Sequence, residues 1–258
     1  RDGGIRDELP DSRFYGFSCS TPEITQAKEI ASRVLGKTII GGSHATLLPE
    51  DCRGYFHYIV IGEGENIIND ILSGKLDRGM NTTIRIKDLN TLPYPMWDLV
   101  AEPFSEELFP GERYGRGNKA ATIIASRGCP FHCAYCGNTF RVPVAYRSAD
   151  NVLGELRELM IRGINYVRFE DDNFTLLPDF GELCNGIKKL GIRYKCHTRS
   201  DLLTLDKAQT MFLSGCEECG LGVESADPEV LRINNKQETV EQHGEAVEIL
   251  RQAGLRSK

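Results

Sequence analysis

Short apolar runs alternate with amphipathic helical stretches along most of the chain, and this order restricts the fold more than any other feature. Thr38-Ile39-Ile40 and Tyr58-Ile59-Val60-Ile61 are apolar on successive residues rather than on every second one, as strands buried on both faces are. Between such runs Ile24, Ala27, Ala31 and Val34 recur at helical spacing, with Thr21 and Pro22 ahead of them, and Ile67, Ile68, Ile71 and Leu72 follow the third run. Strands that alternate with helices form parallel sheets covered by those helices, so the expected class is α/β. Ligands of such sheets lie beyond the carboxyl ends of the strands. The residues expected there are Ser18, Ser20, Thr21, Gly41, Gly42, His44 and the turn Glu63, Gly64, Glu65.

The alternation resumes in larger units from Lys119. A strand over Ala121 to Ala125 is followed by a helix opened by Ser148, with Val152, Leu156, Leu159 and Met160 inward. A strand from Tyr166 to Glu170 leads to a helix with Phe180, Leu183, Cys184 and Ile187 on one face. Arg193 to His197, a helix from Thr204 to Ser214, and Cys219 to Glu224 continue the series, and Thr239 with Gln242 forms a capping box for the last helix. Four such units predict a barrel-like parallel sheet with its site on the carboxyl rim. Pro93 and Pro95 hold the intervening stretch extended, and Trp97 reads as an anchor of that segment. The expected division is a first domain over 1–75, a proline-containing linker over 76–118 and a second domain over 119–258.

Cys129, Cys133 and Cys136 fall in one loop directly after the first strand of the second domain. Gly128, Pro130 and Gly137 mark that loop. Three thiolates can hold an iron-sulfur cluster and leave one iron without a protein ligand, an open position where a small molecule can react. A structural zinc site is the competing reading, with Cys216-x-x-Cys219 as a distant second pair. Nine cysteines in 258 residues suit reduced thiols better than a secreted disulfide framework. No apolar run reaches the length of a membrane span and no signal peptide opens the chain, so the expectation is a cytoplasmic protein with no membrane partner. The net charge of −6 argues against a nucleic-acid partner and favours a small-molecule or peptide substrate.

The spacing Cys-x-x-x-Cys-x-x-Cys, with Tyr135 before the last cysteine, resembles the signature of the radical S-adenosylmethionine (radical SAM) enzymes. The resemblance implies that Cys129, Cys133 and Cys136 hold a [4Fe-4S] cluster whose open iron binds S-adenosylmethionine. An electron from the cluster then cleaves the cofactor to a 5′-deoxyadenosyl radical. It also implies cofactor contacts from Tyr135, from the run Glu170, Asp171, Asp172 and Asn173, from Arg199, and from Glu224 and Ser225. Carboxylates suit the ammonium and the ribose hydroxyls, and a guanidinium fork suits the cofactor carboxylate. No catalytic residue is assigned.

A strand ending in serine, a strand ending in Gly-Gly, and then Val-Ile-Gly-Glu-Gly-Glu resemble the cobalamin (vitamin B12)-binding domain of one branch of that family. On that resemblance Ser18, Ser20, Thr21, Gly41, Gly42, Glu63, Gly64 and Glu65 border cobalamin. The Asp-x-His-x-x-Gly motif of a cobalt-ligating histidine is absent. The implied fold is an incomplete Rossmann-like domain followed by a partial (β/α)6 TIM-like radical SAM barrel, with a fifth strand expected to begin near Leu255. The implied activity is reductive cleavage of S-adenosylmethionine, serving cobalamin-assisted methyl transfer or radical cyclisation or rearrangement, with an external electron donor such as a flavodoxin or ferredoxin. A radical SAM enzyme without cobalamin and a non-catalytic zinc-stabilised binding module are the alternatives.

Overall fold

A computed structural model describes residues 9–99, 119–137 and 143–258. The chain divides into two compact units, Arg1–Ile86 and Lys87–Lys258.

The first unit is built on four parallel strands, β1 (Phe14–Ser18), β2 (Lys37–Gly41), β3 (Tyr58–Ile61) and β4 (Gly79–Thr82), in that spatial order. Helices α1 (Ile24–Arg33), α2 (Ser43–Leu47) and α3 (Ile68–Leu72) connect them. Ile40 and Ile59 pack with Ala27, Ala31 and Ala45, while Ile39, Tyr58 and Val60 pack with Ile71 in a separate cluster. The uninterrupted apolar runs therefore have both faces buried, as expected. The start of α1 differs from expectation: Ser20, not Thr21, caps a short 3-10 turn over Thr21–Glu23, and the Glu23 carboxylate accepts from Ser20 N at 2.8 Å. β4 was not anticipated. Its sequence, Gly79-Met80-Asn81-Thr82, is polar because it forms the sheet edge, and it carries the unit past residue 75 to Ile86.

The second unit centres on a parallel sheet of β5 (Lys119–Ile123), β8 (Ile164–Phe169), β9 (Arg193–Thr198), β10 (Cys216–Leu221) and β11 (Arg256–Ser257). Between β5 and β8 a two-residue antiparallel pair, β6 (Ser126–Arg127) with β7 (Ala145–Tyr146), closes the base of the cysteine loop. Helices α4 (Ala149–Ile161), α5 (Phe180–Leu190), α6 (Leu205–Leu213), α7 (Pro228–Ile233) and α8 (Val240–Ala253) follow in order. Ser148, Thr204 and the Thr239–Gln242 capping box start α4, α6 and α8 at the expected positions. Val152, Leu156, Leu159, Leu183, Ile187 and Leu250 bury one face of this sheet together with Val167, Phe169 and Tyr194. Each fully buried leucine contributes about 1.5–3 kcal/mol. Cys184 is part of this core, as are Cys216 and Cys219.

β11 pairs with β10 through Glu218↔Arg256 and Cys219↔Ser257, which places the opening of a fifth strand one residue after Leu255. The sheet is open rather than closed into a barrel. Of the stretch expected as a linker, residues 100–118 lie outside the described residues, as do residues 1–8 of the first domain. Residues 76–86 of that stretch belong to the first unit and residues 87–99 to the second, where Tyr94 donates to the Asn151 carbonyl at 2.9 Å and Trp97 Nε1 to Glu155 at 3.2 Å.

Candidate functional site

The carboxyl ends of β8, β9 and β10 and the cysteine loop enclose a cavity of about 370 Å³, within the ~300–1,000 Å³ usual for small-molecule sites. Cys129, Cys133 and Cys136 all line it. Cys133 is buried and the other two are half-buried, and none of the nine cysteines is in a disulfide. Among the described residues no three His, Cys, Asp or Glu side chains converge on a point that one metal ion could occupy. The three thiols share that cavity as a common lining. Cys216 and Cys219 do not join it, because they sit in the helix-covered core, where Cys216 lies 4.0 Å from Cys196. Burial pushes the Cys129 thiol above its ordinary value, with partial relief from the Phe131 backbone and Asn173. Loading a metal at this thiol therefore releases a proton.

Two segments hold the cysteine loop. From the α7–α8 connection, the Asn234 carbonyl accepts from Ala134 N at 2.8 Å and Asn235 Nδ2 donates to the His132 carbonyl at 3.0 Å. From the β8 and β9 rims, Asn173 Nδ2 donates to Cys129 Sγ at 3.3 Å, and Arg199 Nη1 reaches Cys133 Sγ at 3.7 Å. Glu224, Asn235 and Gln237 are the non-glycine residues with positive φ among the described residues, at 62°, 50° and 59°. Strained backbone gathered at one site points to function there. Gly220 is needed for close approach, since a Cβ there would lie 2.4 Å from His197 Cδ2.

The structure brings together Tyr135, Asp172, Asn173, Arg199 and Glu224 of the expected cofactor contacts, and adds Phe131, His197 and Lys236. Lys236 is buried between Glu238, at 3.0 Å, and Glu224, at 3.8 Å. Nothing local marked it, since it lies in a short charged turn between two helices. His197, at the end of β9, also forms part of the cavity wall.

Three expected contacts face elsewhere. Glu170 pairs with Arg168 at 2.6 Å and lines a separate cavity of about 270 Å³ beside Pro93 to Trp97. Ser225 Oγ accepts from Asp227 N at 3.0 Å, a local turn that feeds α7. The Asp171 carboxylate accepts from Ala125 N at 3.1 Å and from the Ser126 hydroxyl, so it anchors the base of the cysteine loop from below. The Arg199 fork is also taken, by both oxygens of Asp201 at 2.9 and 3.0 Å, rather than by Glu170 or Asp172.

Burial pushes the Asp171 carboxyl up to about 6 against the hydrogen bonds from Ser126 and Ala125, while an unfolded aspartate titrates near ~3.9. Between these values the folded chain binds the extra proton. The contribution of Asp171 to stability is therefore full below about pH 4 and falls by about 3 kcal/mol as pH rises through about 6. Urea unfolding of the wild type and Asp171→Asn from pH 4 to pH 7 should show the difference moving by that amount in favour of the variant. A constant difference would mean that the carboxyl titrates normally.

In the first unit the expected rim residues lie at the strand ends but are largely engaged within the chain. Thr21 Oγ1 meets His44 Nδ1 at 3.1 Å, and His44 Nε2 meets Asp51 at 2.9 Å. Glu63 is buried, bound to the Arg85 guanidinium and the Ile86 backbone N–H, so its carboxylate turns inward. Gly42, at φ 89°, lets the ends of β1 and β2 meet, for a Cβ there would lie 3.1 Å from Cys19 backbone atoms and Ser18 Oγ. Gly41 has ordinary room, and Glu65 is exposed. A cavity of about 350 Å³ in this unit is lined by residues around the starts of β3 and β4, including His57 and Arg78, at the opposite edge of the sheet.

The sequence profile of the Radical SAM superfamily matches residues 123–258. The bacteriochlorophyllide d C-12(1)-methyltransferase of Chlorobaculum tepidum is 31% identical over 84% of this chain and 48% of its own length. The anaerobic magnesium-protoporphyrin IX monomethyl ester cyclase of Rubrivivax gelatinosus is 27% identical over 94% of this chain and 49% of its own. The chain spans about half the length of the curated relatives it matches. Among solved structures, the radical S-adenosylmethionine methyltransferase TsrM from Kitasatospora setae superposes with a TM-score of 0.74 at 16% identity, over 97% of this chain and 56% of that one. The cobalamin-dependent S-adenosylmethionine radical enzyme OxsB does so with a TM-score of 0.74 at 17% identity, over 96% and 40%. Both share the fold of the two units.

Proposed function

We infer, from a chain that belongs to the radical SAM superfamily, that it is an iron-sulfur enzyme acting on S-adenosylmethionine. The observation that carries this reading is the opening of Cys129, Cys133 and Cys136 onto one cavity at the carboxyl rim of a parallel sheet. A bound [4Fe-4S] cluster supplies the electron that cleaves the cofactor. The chain's own part is to hold three thiolates, to keep the fourth iron position clear of side chains, and to orient the cofactor. Asp172 and Glu224 offer carboxylates to the cofactor ammonium and ribose hydroxyls, and Lys236 places a cation beside Glu224. Tyr135, at the open side of the cavity, borders the adenine.

We assign cobalamin to the carboxyl rim of the first unit, where Ser18, Gly41, Gly42 and Gly64 stand at strand ends. Both nitrogens of His44 are engaged by Thr21 and Asp51, which supports binding without a histidine ligand to cobalt. The occupied space around Gly42 and the cavity at the opposite edge favour, as a second reading, an enzyme that does without cobalamin. Methyltransferases and cyclases both occur among the relatives, so the proposed reaction is methyl transfer or radical cyclisation of a small-molecule or peptide substrate. Flavodoxin or ferredoxin would supply the electron in the cytoplasm. No described helix is long and apolar enough to cross a membrane.

Anaerobic purification, reconstitution with iron and sulfide, and analysis for iron, sulfide, cobalt and zinc test the assignment. About four irons per chain and 5′-deoxyadenosine formed on reduction with S-adenosylmethionine are expected. Stoichiometric zinc with no iron would return the chain to a zinc-stabilised module, and iron without cobalt uptake would favour the second reading.

A further inference from the structure

Arg199 does not present its fork to the cavity. Nε and Nη2 are held by Asp201, Nη2 also donates to the Lys236 carbonyl at 2.9 Å, and the remaining arm, Nη1, reaches Cys133 Sγ at 3.7 Å. The guanidinium carbon sits 3.7 Å from the centre of the Phe131 ring, inside the same cysteine loop. The residue is only 5% exposed, so its charge acts through little water. Asn173 completes the arrangement: its Nδ2 donates to Cys129 Sγ at 3.3 Å, and its Oδ1 accepts from Arg199 N at 3.2 Å. Two of the three cysteines are thus contacted by side-chain N–H donors that are fixed to each other.

We propose that Arg199 and Asn173 are positioning residues that set the reduction potential of the cluster at the cysteine loop. The inference rests on the cluster reading above. Reduction adds one negative charge to the cluster, and N–H donors and a buried cation beside the thiolates stabilise that charge. Hydrogen bonds to the sulfurs are among the main determinants of such potentials. Their effect here is to make the cluster easier to reduce by a one-electron donor. Asp201 and Glu238, whose Oε2 lies 3.7 Å from Nη2, keep the guanidinium in place and limit its net charge.

The test is a redox titration of the reconstituted chain, followed by paramagnetic resonance in the absence of S-adenosylmethionine. Arg199→Gln should lower the ratio of reduced to oxidised cluster at a fixed potential about tenfold, equivalent to about 59 mV for one electron. Arg199→Lys, which keeps the charge, should recover most of that shift, and Asn173→Ala should lose about threefold. Clusters that assemble in lower yield but titrate at the wild-type potential in all three variants would overturn the inference and leave a merely structural role. Unchanged potentials with weakened S-adenosylmethionine binding would overturn it in favour of a contact to the cofactor carboxylate. A wild type that takes up no cluster would overturn the underlying reading as well.

Discussion

Replacing Cys133 by alanine is expected to abolish cluster assembly: iron should fall from about four per chain to almost none after anaerobic reconstitution. Cys133 is the most buried of the triad at 7% exposure, and the Arg199 guanidinium faces its sulfur. With that sulfur gone, two half-buried thiols remain, one short of the three that leave a single iron open. Folding should persist, because the second unit's core is formed by the sheet and its helices and does not include the triad. Iron and sulfide analysis beside a circular dichroism spectrum separates the two effects. Equal iron in wild type and variant would show that the cluster, if present, is held elsewhere.

The second large effect is on stability. Glu155 and Arg147 form a pair whose side chains are 2% and 8% exposed, joined at 2.6 Å. Arg147 also donates to the Ile124 carbonyl at 2.8 Å and to Asn151 Oδ1 at 2.6 Å, while Trp97 Nε1 donates to Glu155. Glu155→Ala leaves a buried guanidinium without its anion and should cost about 3–5 kcal/mol. The loss is read as a lower midpoint in urea. A hydrophobic pair, Arg147→Met with Glu155→Leu, should recover most of it, since the cost lies in the uncompensated charge rather than in the missing attraction. If Glu155→Ala matches the wild type within about 0.5 kcal/mol, the range of ordinary surface changes, the pair is solvated and its structural role is lost.

What was legible in the sequence was local. The caps at Ser148, Thr204 and Thr239, the doubly buried runs around Ile40 and Ile59, and the cysteine loop all rest on residues within a few positions of one another. Partners brought together by the fold were not legible. Glu63 looked like a ligand contact because the Gly-Glu-Gly-Glu turn is open in sequence, but Arg85 and Ile86 reach it only because β4 follows β3 in the sheet. The run from Glu170 to Asn173 read as one acidic cluster. In the structure its neighbours face different ways: Glu170 lines one cavity, Asp172 and Asn173 another, and Asp171 is buried under the cysteine loop. Arg199 is expected to offer its fork to a cofactor carboxylate, whereas in the structure the fork is held by Asp201, two residues along the chain.

The brace between Asn235 and His132 spans 103 residues of chain. A contact that closes so long a loop carries an entropic cost before it gives any return. During synthesis all three thiols leave the ribosome well before Asn234 and Asn235, the residues that fix the loop carrying them. The loop that carries the thiols therefore gains this brace only once the α7–α8 turn has been made. Cluster loading is then expected to follow folding of the second unit, and iron uptake timed against refolding checks that order.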